Sequence, residues 1–209
     1  MLLRRGLFVG LSGIALVALW LLIAGPSKVV GVDPGNTGTL LLVAAAWGSL
    51  FALSRVSTGG LAREMAPGEL KAWIGLGFTV SVLAYAIGQA HVFDGPAIPH
   101  NPDANRVGRN IALLVAAWAI VSQVVKGRWR QPVQRDERDL EIAANAGQWA
   151  RLGLSAYAIG VAVLLGFSPA EKLSWAPPPM IAHLLVLGLI GSCALEYGAT
   201  AVSYWRDRH

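Results

Sequence analysis

Charged residues are scarce in this chain of 209 residues: Asp, Glu, Lys and Arg together make up 14% of it, whereas a typical soluble domain carries about 25%. The single cysteine, Cys193, excludes an intramolecular disulfide. No polar stretch is long enough to bury a core of its own, which excludes a separate soluble domain. The sequence also contains no GxSxG, HExxH, paired-cysteine or phosphate-binding glycine motif. We therefore expect that this protein is not an enzyme and has no catalytic residues.

Long apolar stretches are what the chain has instead, and hydrophobic residues make up 55% of it. A helix needs roughly 20 apolar residues to cross the hydrocarbon core of a bilayer. Glycine and proline residues interrupt the chain around each stretch and mark the loops. The predicted spans are residues 7–24, 39–56, 72–92, 111–125, 149–167 and 180–204. The sequence thus predicts an all-α, polytopic transmembrane bundle of six helices, in which the first helix is an anchor and not a cleaved signal peptide.

The positively charged residues are distributed unequally between the two sides that these spans define. Of the 17 Lys and Arg residues, 13 fall on one side and 4 on the other. Positively charged loops stay in the cytoplasm, so both termini are predicted to be cytoplasmic. Topology accounts for the net charge of +5, and we therefore expect no direct binding of nucleic acid. The lipid bilayer is the first predicted partner.

One charged segment, RDERDLEI at residues 135–142, is the only part of the sequence that looks like a signature. Its acids precede a run that is compatible with a helix from Glu137 to Phe167, about 45 Å long. Because the hydrocarbon core is only about 30 Å thick, this helix should protrude from the membrane. The segment is either a solvated helix start that sets topology or a docking surface or gate. In the second case the partner-binding residues are Asp136, Glu137, Arg138, Asp139 and Glu141.

The charged segment and its surroundings carry a family resemblance. The matching pieces are residues 136–142, residues 143–157, the ending Tyr204-Trp205-Arg206, and the opening of the third span at residues 69–74. Over roughly residues 69–206 the chain resembles the domain of unknown function 2178 family of small prokaryotic integral membrane proteins. The resemblance implies a protein of the prokaryotic cytoplasmic (inner) membrane without established chemistry. Members are often encoded near small helix-turn-helix regulators, which points to signalling or immunity.

This resemblance also suggests how the chain is organised. Residues 1–60 would form two accessory N-terminal transmembrane helices. Residues 69–209 would form a four-helix transmembrane core with a cytoplasmic charged loop at residues 126–148. The polar segment at residues 94–109 is predicted to be a turn-rich outer loop, and Asn110 is predicted to lie at one end of the fourth span.

Polar side chains inside the spans suggest a transport alternative. Glu196, Arg151 and Gln123 are predicted to lie at similar depth in the cytoplasmic leaflet. Ionisable groups are costly in a membrane and usually face the interior of a bundle. Glu196 and Arg151 could form a structural ion pair, Glu196 could serve in a proton or cation relay, or its side chain could simply reach the interface. The relay would make the protein a small transporter or channel.

Two histidines suggest a redox alternative. The third span ends near His91 and the sixth begins just before His183, so topology places both at the outer edge of the membrane. Two histidines on antiparallel helices could hold a haem b as axial ligands. They could also share a metal with Asp94 and His100, or be ordinary interfacial side chains. Otherwise we expect no cofactor.

Packing between helices is predicted at two kinds of residue. Small residues spaced along the fifth and sixth helices allow close approach, either within one chain or between copies in a homo-oligomer; they are Gly153, Gly160, Gly188, Ser192, Ala194 and Gly198. Trp47 and Trp118 fall in the middle of spans and are predicted to pack between helices.

Together these features favour a multi-pass inner-membrane protein of unknown biochemical activity. We predict a non-enzymatic sensor, immunity or accessory protein that engages a cytoplasmic protein partner. The surface used would be residues 128–148 and 206–209. The small transporter or channel is the first alternative, and the haem-binding membrane redox protein is the second.

Overall fold

The computed structural model describes residue 10 and residues 13–22, 34–54, 67–128 and 137–207. They form six α-helices, which are α1 (Gly13–Leu22), α2 (Pro34–Ser54), α3 (Pro67–Gly88), α4 (Pro102–Arg128), α5 (Glu137–Phe167) and α6 (Pro178–Arg206). Short 3₁₀ helices at Ala90–Asp94 and Ile98–His100 connect α3 to α4, and another at Ala170–Leu173 connects α5 to α6. No β-strand occurs in these described ranges. The prediction of an all-α protein is confirmed.

Three of the helices are long and apolar enough to cross a membrane: Gly68–Gly88 of α3, the whole of α5 and the whole of α6. Large apolar side chains point outward from them; Ile159 is 64% exposed and Phe167 is 86% exposed. An exposed apolar surface of this kind suits lipid and would be unfavourable in water. These helices indicate a membrane protein, as the composition predicted. The number of spans, the sidedness and the identity of the membrane stay predictions.

The helix starts follow from local sequence. Four helices, α2, α3, α4 and α6, begin at a proline, which suits the first helical position because the missing N–H would have no partner there. In α5 the first turn instead carries Glu137 and Asp139, whose charges offset the positive end of the helix dipole. The predicted helix from Glu137 to Phe167 is confirmed. Its 31 residues are about ten more than a bilayer requires.

The helix α4 begins earlier than the sequence analysis predicted. Asn101 caps it, since the Ala104 backbone N–H donates to Asn101 Oδ1 at 3.1 Å. Pro102 follows as the first helical residue. The second half of the predicted outer loop is therefore helical. Asn110 lies two turns inside α4, and its place at one end of the fourth membrane span stays a prediction.

The helix α6 is the centre of the arrangement and packs against α3 on one side and α5 on another. The helix α2 packs against both α3 and α4. One buried core contains side chains from both of the first two helices, such as Leu22 and Leu50, together with Leu114 of α4 and Ile190 of α6. The first two helices therefore share a core with the rest of the bundle.

Glycines let α6 approach its neighbours closely. A Cβ on Gly75 would lie 2.6 Å from the Tyr197 ring, and a Cβ on Gly188 would lie 2.6 Å from the Tyr157 ring. Tyr157 is held in place because its hydroxyl donates to the Leu184 carbonyl at 2.8 Å. Gly153 likewise lies against Leu195. The predicted small-residue packing between the fifth and sixth helices thus occurs within a single chain at these glycines.

The predictions for the other packing residues had different outcomes. Gly198 faces Leu76 of α3 and not α5, and Gly160 has no atom of another helix within 4 Å of a Cβ position in the described structure. Trp118 is buried, stacks on Phe78 with ring centroids 4.8 Å apart, and donates from Nε1 to the Tyr197 hydroxyl at 3.0 Å. The prediction that Trp118 packs between helices is confirmed. Trp47 is 47% exposed, so the prediction that it packs between helices was wrong.

The glycine packing can be tested with two substitutions on α6. Gly188→Ala should lower the midpoint of thermal unfolding in detergent, because the new methyl group meets the fixed Tyr157 ring. Gly191 has no atom within 4 Å of its Cβ position, so Gly191→Ala should leave the midpoint unchanged or raise it through helix propensity, worth up to about 1 kcal/mol. Equal effects of the two substitutions would contradict the close approach.

Candidate functional site

The charged segment lies where α5 begins, beside the place where α6 ends. The two helices run antiparallel, so that the first turn of α5 meets the last turn of α6. Glu137, Arg138, Asp139 and Glu141 belong to the first two turns of α5. Asp136 lies outside the described residues.

Two side-chain contacts join these helix ends. The Tyr204 hydroxyl donates to Asp139 Oδ1 at 2.7 Å. Arg138 donates from Nε and Nη2 to Asp207 Oδ2, at 3.1 and 2.8 Å. We refer to Arg138, Asp139, Tyr204 and Asp207 as the clasp.

The two contacts of the clasp differ in strength. Arg138 and Asp207 are about half exposed, with side-chain exposures of 53% and 43%, and an exposed ion pair contributes about 0–1 kcal/mol. Tyr204 is only 9% exposed. A hydrogen bond to a charged group contributes about 1.5–3 kcal/mol, so the Tyr204–Asp139 bond is the stronger of the two.

The start of α3 lies at the same end of the bundle. Tyr204 passes so close to Gly68 that a Cβ there would lie 2.6 Å from its hydroxyl oxygen. Next to it, Glu69 is only 1% exposed and its Oε1 accepts a hydrogen bond of 3.4 Å from Trp73 Nε1. A buried carboxylate needs such donors because burial without them is costly. Three helices therefore meet at the clasp.

Glu69 and Tyr204 were missed by the sequence analysis as functional candidates. An acid in the first turn of a helix is ordinary, and an aromatic residue near the end of a span is ordinary too. The available signal was that both lie in the pieces that carry the family resemblance, at residues 69–74 and 204–206.

The start of α5 presents a second, exposed surface. Ile142, Ala146 and Ala150 form its buried side, at the spacing of one helix face. The exposed side carries two carboxylates and two amides, which we call the α5 polar face: Glu137, Glu141, Asn145 and Gln148. The charged segment is thus divided, because Arg138 and Asp139 join α5 to α6 whereas Glu137 and Glu141 face outward. This arrangement offers hydrogen bonding and charge for recognition, and no nucleophile paired with a base.

Glu196, Arg151 and Gln123 are all exposed. The contacts of Gly153 with Leu195 and of Gly188 with Tyr157 place Arg151 and Glu196 at a similar level on neighbouring helices. No ion pair joins Glu196 to Arg151 in the described part of the chain. Arg151 Nη1 instead turns back along α5 to 3.5 Å from the Cβ position of Gly147, as expected of an arginine whose charged head reaches towards water.

The two histidines have different environments. His183 is 4% exposed, stacks on Phe93 with ring centroids 4.3 Å apart, and has its Nε2 3.1 Å from the Ala86 carbonyl oxygen. Since a carbonyl can only accept, Nε2 donates, and it satisfies a carbonyl in the last turn of α3 that lacks a helical N–H. His91 is exposed. Haem ligation through Nε2 of His183 would require this hydrogen bond to break.

The metal alternative required further ligands near these histidines. Among the described residues, no group of three or more His, Cys, Asp and Glu side chains lies close enough together to hold a metal ion. The haem hypothesis, which needs only His91 and His183, stays a prediction.

The clasp can be tested by amide hydrogen exchange in the detergent-solubilised protein. Asp139→Ala should speed exchange in the first turns of α5 and the last turn of α6, because the Tyr204 hydroxyl loses its acceptor. Glu141→Ala is the matched control, since Glu141 is exposed on the same helix, and it should leave exchange in α6 unchanged. If Asp139→Ala also leaves both helix ends unchanged, the clasp does not hold them together.

The role of His183 can be tested by two substitutions. His183→Leu should lower the unfolding midpoint, because a buried carbonyl without a donor costs about 1–3 kcal/mol. His183→Gln keeps an N–H donor and should lose less. Equal losses would show that the hydrogen bond to Ala86 contributes nothing. The absorbance spectrum of the same samples tests the haem hypothesis, which requires a Soret band that His183→Leu abolishes.

Comparison with known proteins adds no further information on this site. No family model matches the chain, and neither a curated protein nor a solved structure matches it. The case for a function therefore depends on the clasp, the α5 polar face and the distribution of charge.

Proposed function

We propose that this chain is a multi-pass protein of the prokaryotic inner membrane, with both termini in the cytoplasm, that acts as a non-enzymatic sensor, immunity or accessory protein. Three long apolar helices support the membrane location. The distribution of 13 against 4 Lys and Arg residues supports the orientation. The resemblance to the domain of unknown function 2178 family, itself still a prediction, supports the general class.

The observation that carries this proposal is that α5 extends beyond the length of a span and is held there by the clasp. A free helix end of this size would fray, because short isolated helices are marginal in water. The Tyr204–Asp139 and Arg138–Asp207 contacts fix the start of α5 against α6. The α5 polar face is therefore presented in one conformation, and a partner that binds it does not have to order it first.

The chemistry of the α5 polar face favours a particular class of partner. Glu137 and Glu141 supply two negative charges, and Asn145 and Gln148 supply amides that both donate and accept hydrogen bonds. Around them the predicted cytoplasmic side of the chain is strongly basic. A cytoplasmic protein with lysine or arginine side chains opposite Glu137 and Glu141 would bind this face. The basic surface around the face would repel the same side chains and so fix the position of the partner.

The structure gives less support to the transporter and haem alternatives. A transporter or channel that uses Glu196 and Arg151 would need polar groups that converge on Glu196. In the described residues Arg151 turns towards Gly147 instead. A haem protein that uses His91 and His183 would need Nε2 of His183, which donates to Ala86. Within the described residues, neither alternative has a contact that favours it over partner binding.

Partner binding can be tested by photo-crosslinking in cells of the source organism. A photoreactive amino acid at position 144 should give a discrete crosslinked protein, because this exposed position lies on the same side of α5 and leaves both acids in place. Gln148→Lys in the same chain should abolish that product, because the new positive charge repels the lysine or arginine side chains of the partner. The matched control is the same amino acid at position 171, because Glu171 is also exposed but belongs to the connection between α5 and α6. If position 144 gives no product, or gives the same products as position 171, the α5 polar face is not a docking surface.

A further inference from the structure

A pair of polar side chains is buried between α3 and α4, away from the clasp. Asn110 is 1% exposed and Tyr85 is 2% exposed. One turn away along these helices, Val82, Val107 and Leu114 are no more exposed than 2%. The polar pair thus lies in an apolar interior, where each polar atom needs a partner.

The side-chain amide of Asn110 is not fully hydrogen-bonded within the described structure. Its Nδ2 donates to the Tyr85 hydroxyl, but the distance of 3.4 Å is long for a bond whose usual length is about 2.9 Å. Its Oδ1 is buried and has no hydrogen-bond partner among the described residues. Exchanging the nitrogen and oxygen of the amide does not remove the problem. The oxygen would then accept from Tyr85, and the two N–H groups would be left without an acceptor in its former place.

An unpaired buried carbonyl is costly enough to require an explanation. Burying an amide without a hydrogen bond costs about 1–3 kcal/mol by protein mutational measures. A leucine of similar size at position 110 would avoid this cost. The asparagine therefore indicates a partner that the side chains of this chain do not provide.

We propose that Asn110 and Tyr85 hold a single buried water molecule between α3 and α4. Water can donate to Asn110 Oδ1 and can also exchange a hydrogen bond with the Tyr85 hydroxyl, which meets the minimum of about two polar partners for a buried water. It serves equally well if the amide has the opposite orientation, because water both donates and accepts. No larger ligand is needed to provide one hydrogen-bond donor for Asn110 Oδ1.

The pair lies near the end of α3 and next to an exposed polar residue of α4. Tyr85 lies three residues before Gly88, the last residue of α3, or about 5 Å along the helix axis. The residue next to Asn110 is Arg109, which is exposed and donates from Nη2 to Asn36 Oδ1 at 3.4 Å. A polar surface thus lies one residue away from the buried pair. This inference is independent of the partner proposed for the α5 polar face.

The proposal can be tested by X-ray radiolytic footprinting of the full chain in detergent. X-rays form hydroxyl radicals wherever water is present, and these oxidise the side chain beside it even when that side chain is buried. Tyr85 should therefore be oxidised. Phe78 is the matched control and should remain unmodified. It is a buried aromatic residue on the same helix with 5% exposure, and no unpaired buried polar atom lies beside it among the described residues.

Asn110→Leu provides the second arm of the test. Removing the amide removes the site, so oxidation of Tyr85 should be lost whereas oxidation of exposed residues should stay the same. If Tyr85 in the unaltered protein is as unreactive as Phe78, the proposal is overturned, whether or not the variant folds. It is also overturned if a folded Asn110→Leu protein shows the same oxidation of Tyr85.

Discussion

The close packing of tyrosine rings against glycine is the contact on which the rest of the bundle depends. Tyr157 of α5 lies on Gly188, and Tyr197 of α6 lies on Gly75 of α3. Each contact allows two backbones to approach closely and also fixes how far one helix is shifted along the other, because a bulkier residue would not fit under the ring. The hydrogen bonds from Tyr157 to Leu184 and from Trp118 to Tyr197 keep the rings in place.

This register determines where the polar contacts at both ends of the bundle form. At one end it brings Tyr204 to Asp139 and Gly68. At the other it brings His183 to the Ala86 carbonyl. A shift of α6 by one turn along α3 or α5, about 5 Å, would break both contacts and leave buried polar atoms unpaired. The apolar packing and the polar contacts therefore support the same arrangement, as expected of a sequence that specifies one fold.

The acids of the bundle have different roles because of their surroundings and not because of their sequence context. Glu69 and Glu137 both lie in the first turn of a helix. Glu69 is covered by the other helices and accepts from Trp73, whereas Glu137 faces outward. The first contributes to the junction of three helices, and the second is available to a partner. This division is what makes the start of α5 both fixed in position and open for recognition.

The sequence by itself determined the helical class, the apolar character of the bundle and the bounds of α5. Those properties depend on residues close together in the chain: the run of apolar residues, the acids before it and the Ser168-Pro169 pair that ends it. The sequence also placed His183 near the end of α3, because successive spans run in opposite directions. The end of the third span and the start of the sixth therefore lie on the same side of the membrane. Asn101 and Pro102 carried a local signal for the start of α4, although the polar residues after them were interpreted as a loop.

Only the tertiary structure decided which polar residues are buried. The sequence placed Asn110 only along its span, and the fold encloses it beside Tyr85. Trp47 was placed between helices and is instead exposed. The pairing of Asp139 with Tyr204 joins residues 65 positions apart. The physical reason is that burial and pairing depend on the rotation of each helix about its axis and on its register with its neighbours. In a membrane, where most faces of every helix are apolar, the sequence pattern hardly constrains that rotation, and the contacts of glycine with tyrosine rings determine it.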